Sequence, residues 1–245
     1  MHLRCELPTP DVIDQFEAQC DKPVVKLASL MDHTPGARQY TTLEHYIAYY
    51  QKRMRLSDAE MAQFIAERQR ERDLYSQKSH DAILARGREI GLAFASHDDA
   101  TLAHVDEAVS DGVVIAEFPT TMEAARAAHA AGLAVLMGGP NVVRGKSHNG
   151  NISASELARE GVLDVLSSDY VPFSLLFSAF ALPERIESIS LPQSIALVTR
   201  NPAKAAHLHD RGEIALGKRG DLVRVRKTSS APVVGGVWRQ GKRVS

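Results

Sequence analysis

His97, Asp98 and Asp99 follow directly on the buried-type run GLAFAS that begins at Gly91. The arrangement recurs elsewhere. VVKLASLM (24–31) runs into Asp32 and His33, and VLDVLSS (162–168) runs into Asp169. VVIAE (113–117) closes on Glu117, and the opening HLRCE carries His2 and Glu6. Histidines and carboxylates distributed over strand ends make the donor set of a divalent-metal site. Imidazole and carboxylate suit zinc and similar ions, and separate strands let donors converge from several directions. A bound ion lowers the pKa of its water, and an aspartate such as Asp169 could then take or relay that water's proton.

Each of these residues has a plainer alternative. A single histidine such as His97 is often a hydrogen-bonded structural residue. Asp98 and Asp99 could cap the following helix. Asp169 could cap or turn, and Glu117 could pair with a neighbouring cation. His2 could belong to an unstructured terminus. The joint pattern favours the metal site over these single-residue readings.

A second signal is GGPNVVRGKSHNGN (138–151), which reads as a loop. Its four glycines accompany Arg144, Lys146, His148 and Asn149. Backbone N–H groups and two cations there could hold phosphate oxygens, as a lid that handles anions; the alternative is a plain connecting loop. The chain has no G-x-x-x-x-G-K-[ST], no G-x-G-x-x-G and no G-x-S-x-G, so neither a nucleotide-fold phosphate site nor a serine-hydrolase elbow is indicated.

The elements that must position these groups alternate. The expected strands are the end of one within 1–8, then 24–31, 92–96, 113–119, 133–137 and 162–168. Helical patterns separate them, with capping-box spacing at Thr41–Glu44, Ser57–Glu60, Thr120–Glu123 and Ser153–Glu156. The charged run at 67–73 mixes acids and bases, which fits a solvated helix face and not a nucleic-acid surface. Strands alternating with helices imply a parallel sheet with right-handed crossovers, in which chemistry sits at the strand C-termini. Six strands fall short of the eight of a closed (β/α)8 barrel. After about residue 208 the pattern changes to short strands with glycine turns. The chain is therefore read as a parallel strand–helix domain at 1–208, short of a closed barrel, and a small β appendage at 209–245.

Composition sets outer bounds. The 245 residues are 44% hydrophobic and 24% charged, with net charge −1. That is ordinary for a soluble α/β domain and provides no field for nucleic acid or anionic membrane. Two cysteines argue against a disulfide framework and fit a reducing compartment. With no apolar run near the ~20 residues of a membrane span, and no signal-peptide pattern, a cytoplasmic protein is expected.

HLRCE, SLMDHTPG (29–36), ASHDDAT (95–101), AEFPTT (116–121), LMGGPNVVRGKSHNGN (136–151) and LSSDYVP (166–172) closely resemble one family. It is the α-D-ribose 1-methylphosphonate 5-triphosphate diphosphatases of the carbon–phosphorus lyase pathway, within the amidohydrolase superfamily. TRNPAKAAHL (199–208) and the tail beyond it resemble the superfamily's C-terminal region. The resemblance implies a metal-dependent (β/α)8 hydrolase, incomplete here with about six of eight βα units, plus half a small β-sandwich. It implies one or two divalent metals, zinc being the natural choice. The implied reaction releases pyrophosphate from the triphosphate and leaves the 5-phosphate. It implies His33 and His97 as metal ligands, Glu6 as a carboxylate that can bridge metals, His2 as a further candidate, and Asp169 as the residue that orients and deprotonates water. Arg144, Lys146 and Asn149 are candidates for polyphosphate contact from their charge and polarity.

The superfamily's first metal motif, His-x-His, is absent from this sequence, so the chain reads as an N-terminally truncated copy. A homo-oligomer or a complementing N-terminal peptide would be its partner. Two other readings stand beside hydrolysis of the triphosphate: an inactive fragment or interaction subunit of the phosphonate machinery, and an amidohydrolase acting on C–N bonds.

Overall fold

The structure, a computed structural model, describes residues 1–39, 43–145 and 151–245. The chain forms two compact units, Met1–Leu133 and Ala134–Ser245.

The first unit has the order β1 (His2–Glu6), α1 (Val12–Cys20), β2 (Leu27–Met31), α2 (Leu43–Met54), α3 (Asp58–Glu89), β3 (Ala93–His97), α4 (Leu102–Ser110), β4 (Ile115–Glu117) and α5 (Met122–Ala130). The four strands are parallel and adjacent in sequence order. Arg4 pairs with Ser29, and Ser29 with Ala95, while Glu6 pairs with Met31 and His97 with Glu117. Because side chains alternate along a strand, His2, Arg4 and Glu6 share one face with Ser29, His97 and Glu117. Ala28, Phe94 and Ala116 point the other way and are buried under the helices.

Local chemistry sets where the helices begin and end. Ser57 and Glu60 form a reciprocal capping box at the start of α3, as the spacing predicts. The cap of α5 is Thr121, one residue later than the expected box, and its side chain accepts from the Ala124 N–H. Ala124, Ala125 and Ala128 are fully buried, so α5 lies close on the sheet. The chain then turns through Gly132 at φ 86°, a left-handed conformation that costs glycine little. Near the end of α3, a Cβ on Gly87 would lie 2.2 Å from the Phe94 ring, so only glycine permits that approach. The outer parts of α2 and α3 carry their own apolar cluster, centred on Tyr46, Met61 and Ile65. The capping box expected at Thr41–Glu44 falls on residues outside the described ones.

The second unit comprises β5 (Ala134–Gly138), α6 (Gly139–Arg144), α7 (Ala154–Arg159), β6 (Val165–Ser167), α8 (Ser174–Arg185), α9 (Leu191–Ala196), α10 (Arg200–Ala205), β7 (Leu222–Lys227), β8 (Pro232–Arg239) and β9 (Lys242–Arg243). β5 and β6 are parallel; β7, β8 and β9 form a separate antiparallel sheet. The run expected as a loop from Gly138 starts instead with α6. Pro140 sits in its first turn, where its missing N–H is no loss. Gly139 lets α6 press against Ser174 and Ser178; a Cβ there would lie 2.7 Å from the Ser174 hydroxyl. Ser153 and Glu156 form the expected capping box of α7.

Alternating parallel strands and helices with a small C-terminal antiparallel sheet are the expected fold class. Among the described residues no helix is long and apolar enough to cross a membrane.

Candidate metal centre

Three donor atoms converge beyond the C-termini of β2 and β3. They are His33 Nε2, His97 Nε2 and Asp98 Oδ2, and the ligand atoms of these residues all lie within 4.8 Å of one another. Asp98 Oδ2 is 3.5 Å from each of the two ring nitrogens. His97 and Asp98 are buried, and His33 is half-buried. Asp98 reaches this position because its backbone is left-handed, at φ 56°, and its N–H is held by the Glu117 carbonyl at 2.9 Å. A non-glycine residue in that region is uncommon and is favoured where surrounding structure holds it.

The other nitrogen of each ring is fixed by a carboxylate. His33 Nδ1 donates to Glu6 Oε2 at 2.6 Å, and the His33 backbone N–H donates to Glu6 Oε1 at 2.8 Å. His97 Nδ1 donates to Glu117 Oε2 at 2.8 Å. Ser29 Oγ donates to the same oxygen at 2.8 Å, and His2 Nε2 contacts Ser29 Oγ at 2.5 Å. With Nδ1 of each ring held by a carboxylate, Nε2 is the atom that each ring presents to a Lewis acid. This carboxylate–histidine arrangement fixes ring orientation and raises ligand basicity. The His97 ring is also buttressed edge-on by Phe118, 5.4 Å between centroids.

Burial pulls the His33 imidazolium down, but the close approach and charge of Asp98 and the hydrogen bond and charge of Glu6 outweigh it and raise His33 to about 10. Burial pushes Glu117 up, yet the His97 hydrogen bond and charge, with His2 and Ser29, bring it to about 2. Burial lowers His2.

Asp98 Oδ2 shows that the donor set fits a divalent cation. It is buried and accepts no hydrogen bond among the described residues, while two imidazole nitrogens face it. A buried carboxylate oxygen without a donor is costly, and coordination to a metal relieves that cost.

The sequence candidates are therefore placed unequally. His33 and His97 are in the cluster. Glu6 spends both oxygens on His33, and His2 ends the chain His2–Ser29–Glu117–His97. Asp98 joins the cluster, whereas the cap of α4 is Thr101, whose side chain accepts from the His104 N–H. Asp32 turns away: it accepts from the Thr34 N–H at 3.0 Å and from Arg72 Nε at 2.6 Å. It lines a cavity of about 690 Å³ with Arg38, Arg72, His80 and His104, on the other face of the strands. Asp99 takes the Ser96 hydroxyl and the Arg38 guanidinium.

In the second unit, Asp169 follows β6 with a left-handed backbone, φ 46°. Its Oδ2 would lie 3.2 Å from a Cβ on Gly138, so glycine there leaves room for the carboxylate. Arg144 closes α6, with its guanidinium 5.5 Å from the centroid of the Tyr170 ring. Lys146 and Asn149 lie outside the described residues.

The sequence pattern of the amidohydrolase family matches residues 141–244. That match lies within the second unit, but a curated relative extends the likeness to the first. The chain is 50% identical over all 245 residues to the alpha-D-ribose 1-methylphosphonate 5-triphosphate diphosphatase of Escherichia coli (strain K12). It spans 65% of that relative's length. Among solved structures, an adenine deaminase aligns over 99% of this chain and 77% of its own, with TM-score 0.51 and 14% identity. An uncharacterized protein aligns over 69% of this chain and 50% of its own, with TM-score 0.50 and 20% identity. These two likenesses show the fold alone, an alternation of strands and helices. His33, His97 and Asp98 lie outside that match and form a cluster of the kind that could hold a divalent metal.

Proposed function

We propose that this chain is a zinc-dependent diphosphohydrolase of phosphonate catabolism, acting in the cytoplasm on α-D-ribose 1-methylphosphonate 5-triphosphate. The products are pyrophosphate and the 5-phosphate. The observation that carries the reading is the His33–His97–Asp98 cluster, within a chain half identical throughout to a diphosphatase bearing that substrate's name.

Zinc, one ion or two, would supply a water of lowered pKa and a positive charge beside the reacting phosphoryl group. The chain's residues do the rest. Asp98, His33 and His97 hold the ion. Glu6 and Glu117 keep the Nδ1 protons in place, so each ring would meet the ion through Nε2. Burial of His97 and Asp98 limits solvent and strengthens the electrostatics. Asp169, assigned on its LSSDYVP motif, takes the water proton. The water oxygen bonds to the α-phosphorus, the α–β bridging P–O bond breaks, and pyrophosphate departs with that electron pair. Arg144, Lys146 and Asn149 are assigned to the polyphosphate chain.

The test combines zinc content with pyrophosphate release from the triphosphate by the 245-residue chain. Bound zinc with turnover, both lost in His97→Ala, is the expected result. Zinc binding without pyrophosphate release would overturn the reading.

A further inference from the structure

We propose that Arg4 is the anion-binding residue of the metal centre, taking a non-bridging oxygen of the phosphoryl group held there. The inference rests on the phosphate-anhydride reading above and adds a residue to it.

Arg4 shares the cluster's face of the sheet, between His2 and Glu6. Its Nη2 lies 3.3 Å from His97 Nε2, the nitrogen that also faces Asp98. Among the described residues its Nε reaches the Met31 thioether, at 3.3 Å, which is a weak acceptor. Three carboxylates stand near, yet none pairs with it among the described residues. Glu6 is committed to His33, Glu117 to His97 and Ser29, and Asp98 to the cluster. A guanidinium in carboxylate-rich surroundings with no carboxylate of its own is poised for an external anion.

Charge arithmetic makes the same point. An ion held through His97 Nε2 would share that nitrogen's surroundings with the Arg4 guanidinium. Arg4 then brings a second permanent cation into the same space. Two cations a few ångströms apart repel strongly in a buried site unless an anion lies between them. A phosphoryl oxygen is such an anion, and a planar guanidinium matches its geometry by donating two parallel hydrogen bonds. In the register Ser29 stands opposite Arg4 and Ala95 opposite Ser29, both small residues. A neutral cyclic amide would provide no such bridge. Guanidinium–metal clamps of this kind stabilise the charge that spreads over a transferring phosphoryl group.

The test uses the zinc-loaded 245-residue chain and inorganic pyrophosphate as probe, by titration calorimetry, for wild type, Arg4→Gln and Arg4→Lys. Loss of a charge-assisted contact worth about 1.5–3 kcal/mol lowers pyrophosphate affinity roughly ten- to hundredfold in Arg4→Gln. Arg4→Lys, which keeps the charge and loses the fork, falls between. Zinc content stays at the wild-type level in both. Pyrophosphate affinity within about threefold of wild type in Arg4→Gln overturns the proposal, even if zinc binds more tightly. If Arg4→Gln does not fold, unchanged affinity in Arg4→Lys overturns it equally. Turnover of the triphosphate by wild type is scored separately. Arg4-dependent pyrophosphate binding without turnover keeps the anion site and sinks the diphosphatase reading. Turnover with Arg4-independent binding does the reverse.

Discussion

Glu117 Oε2 accepts the Nδ1 proton of His97 at 2.8 Å across two adjacent parallel strands, and both side chains are buried. The pairing follows from register, since His97 and Glu117 stand directly opposite each other in β3 and β4. Glu117 thereby chooses the His97 tautomer and leaves Nε2 as the donor toward the cluster. Glu117→Gln retains the shape but can present its amide N–H to Nδ1, favouring the wrong tautomer. Zinc affinity is expected to fall about ten- to hundredfold, measured by competition with a chromophoric chelator. Unchanged affinity would show that Glu117 does not set the ligand state of His97.

Protonation follows from the same contacts. His33, raised to about 10, is an imidazolium at neutral pH in the metal-free protein. A metal ligand must be neutral, so zinc uptake at pH 7 expels that proton. Calorimetry in buffers of different ionisation enthalpy should detect about one proton released per His33 site, and affinity should rise from pH 7 toward 10. Proton-neutral binding would contradict the assignment of His33 as a ligand.

Stability of the metal-free protein has two limbs. Glu117 is depressed from 4.5 to about 2, so its contribution is present above pH 4.5 and is lost as pH falls toward 2. His33 is raised from 6.5 to about 10, so its contribution is complete below pH 6.5 and is lost as pH rises through 10. Thermal melts should therefore plateau between those limits. Glu117→Gln should flatten the acid limb alone; an unaltered acid limb would place the titration elsewhere.

Much of this centre was legible in the sequence, for reasons that differ by residue. His33 and His97 were readable because apolar strand runs ended on them. The backbone brings Asp98 into the cluster, where the sequence left it between ligand and helix cap. Aspartate serves both roles, and only the left-handed φ together with Thr101 as the real cap separates them. Glu6 and His2 were readable as site residues, but which sphere they occupy depends on whose lone pairs they meet. Arg4 was invisible as chemistry, because an arginine in a strand looks ordinary until register sets it beside His97. Helix α6 was hidden by loop-like composition. Gly-Gly-Pro-Asn reads as a turn unless Ser174 and Ser178 are known to need a glycine against them.

Packing provides a prediction independent of the metal. Gly87 lies on α3 where a Cβ would sit 2.2 Å from the Phe94 ring, with more of that ring within 3.3 Å. Phe94 is buried between helix and sheet and cannot swing into solvent without opening the core. Alanine is the better helix former by about 1 kcal/mol, so propensity alone would make Gly87→Ala stabilising. The clash outweighs it, since overpacking costs about 1–3 kcal/mol or more where a ring has nowhere to move. Gly87→Ala should lower the midpoint of urea unfolding, and Gly87→Ala with Phe94→Leu should recover part of the loss. Phe94 lies three residues before His97 on β3, so a displaced ring also strains the strand that presents the ligand. Zinc affinity should drop along with stability in the single mutant and return in the double. Stabilisation by Gly87→Ala would mean that α3 does not approach β3 as closely as the Gly87–Phe94 contact requires.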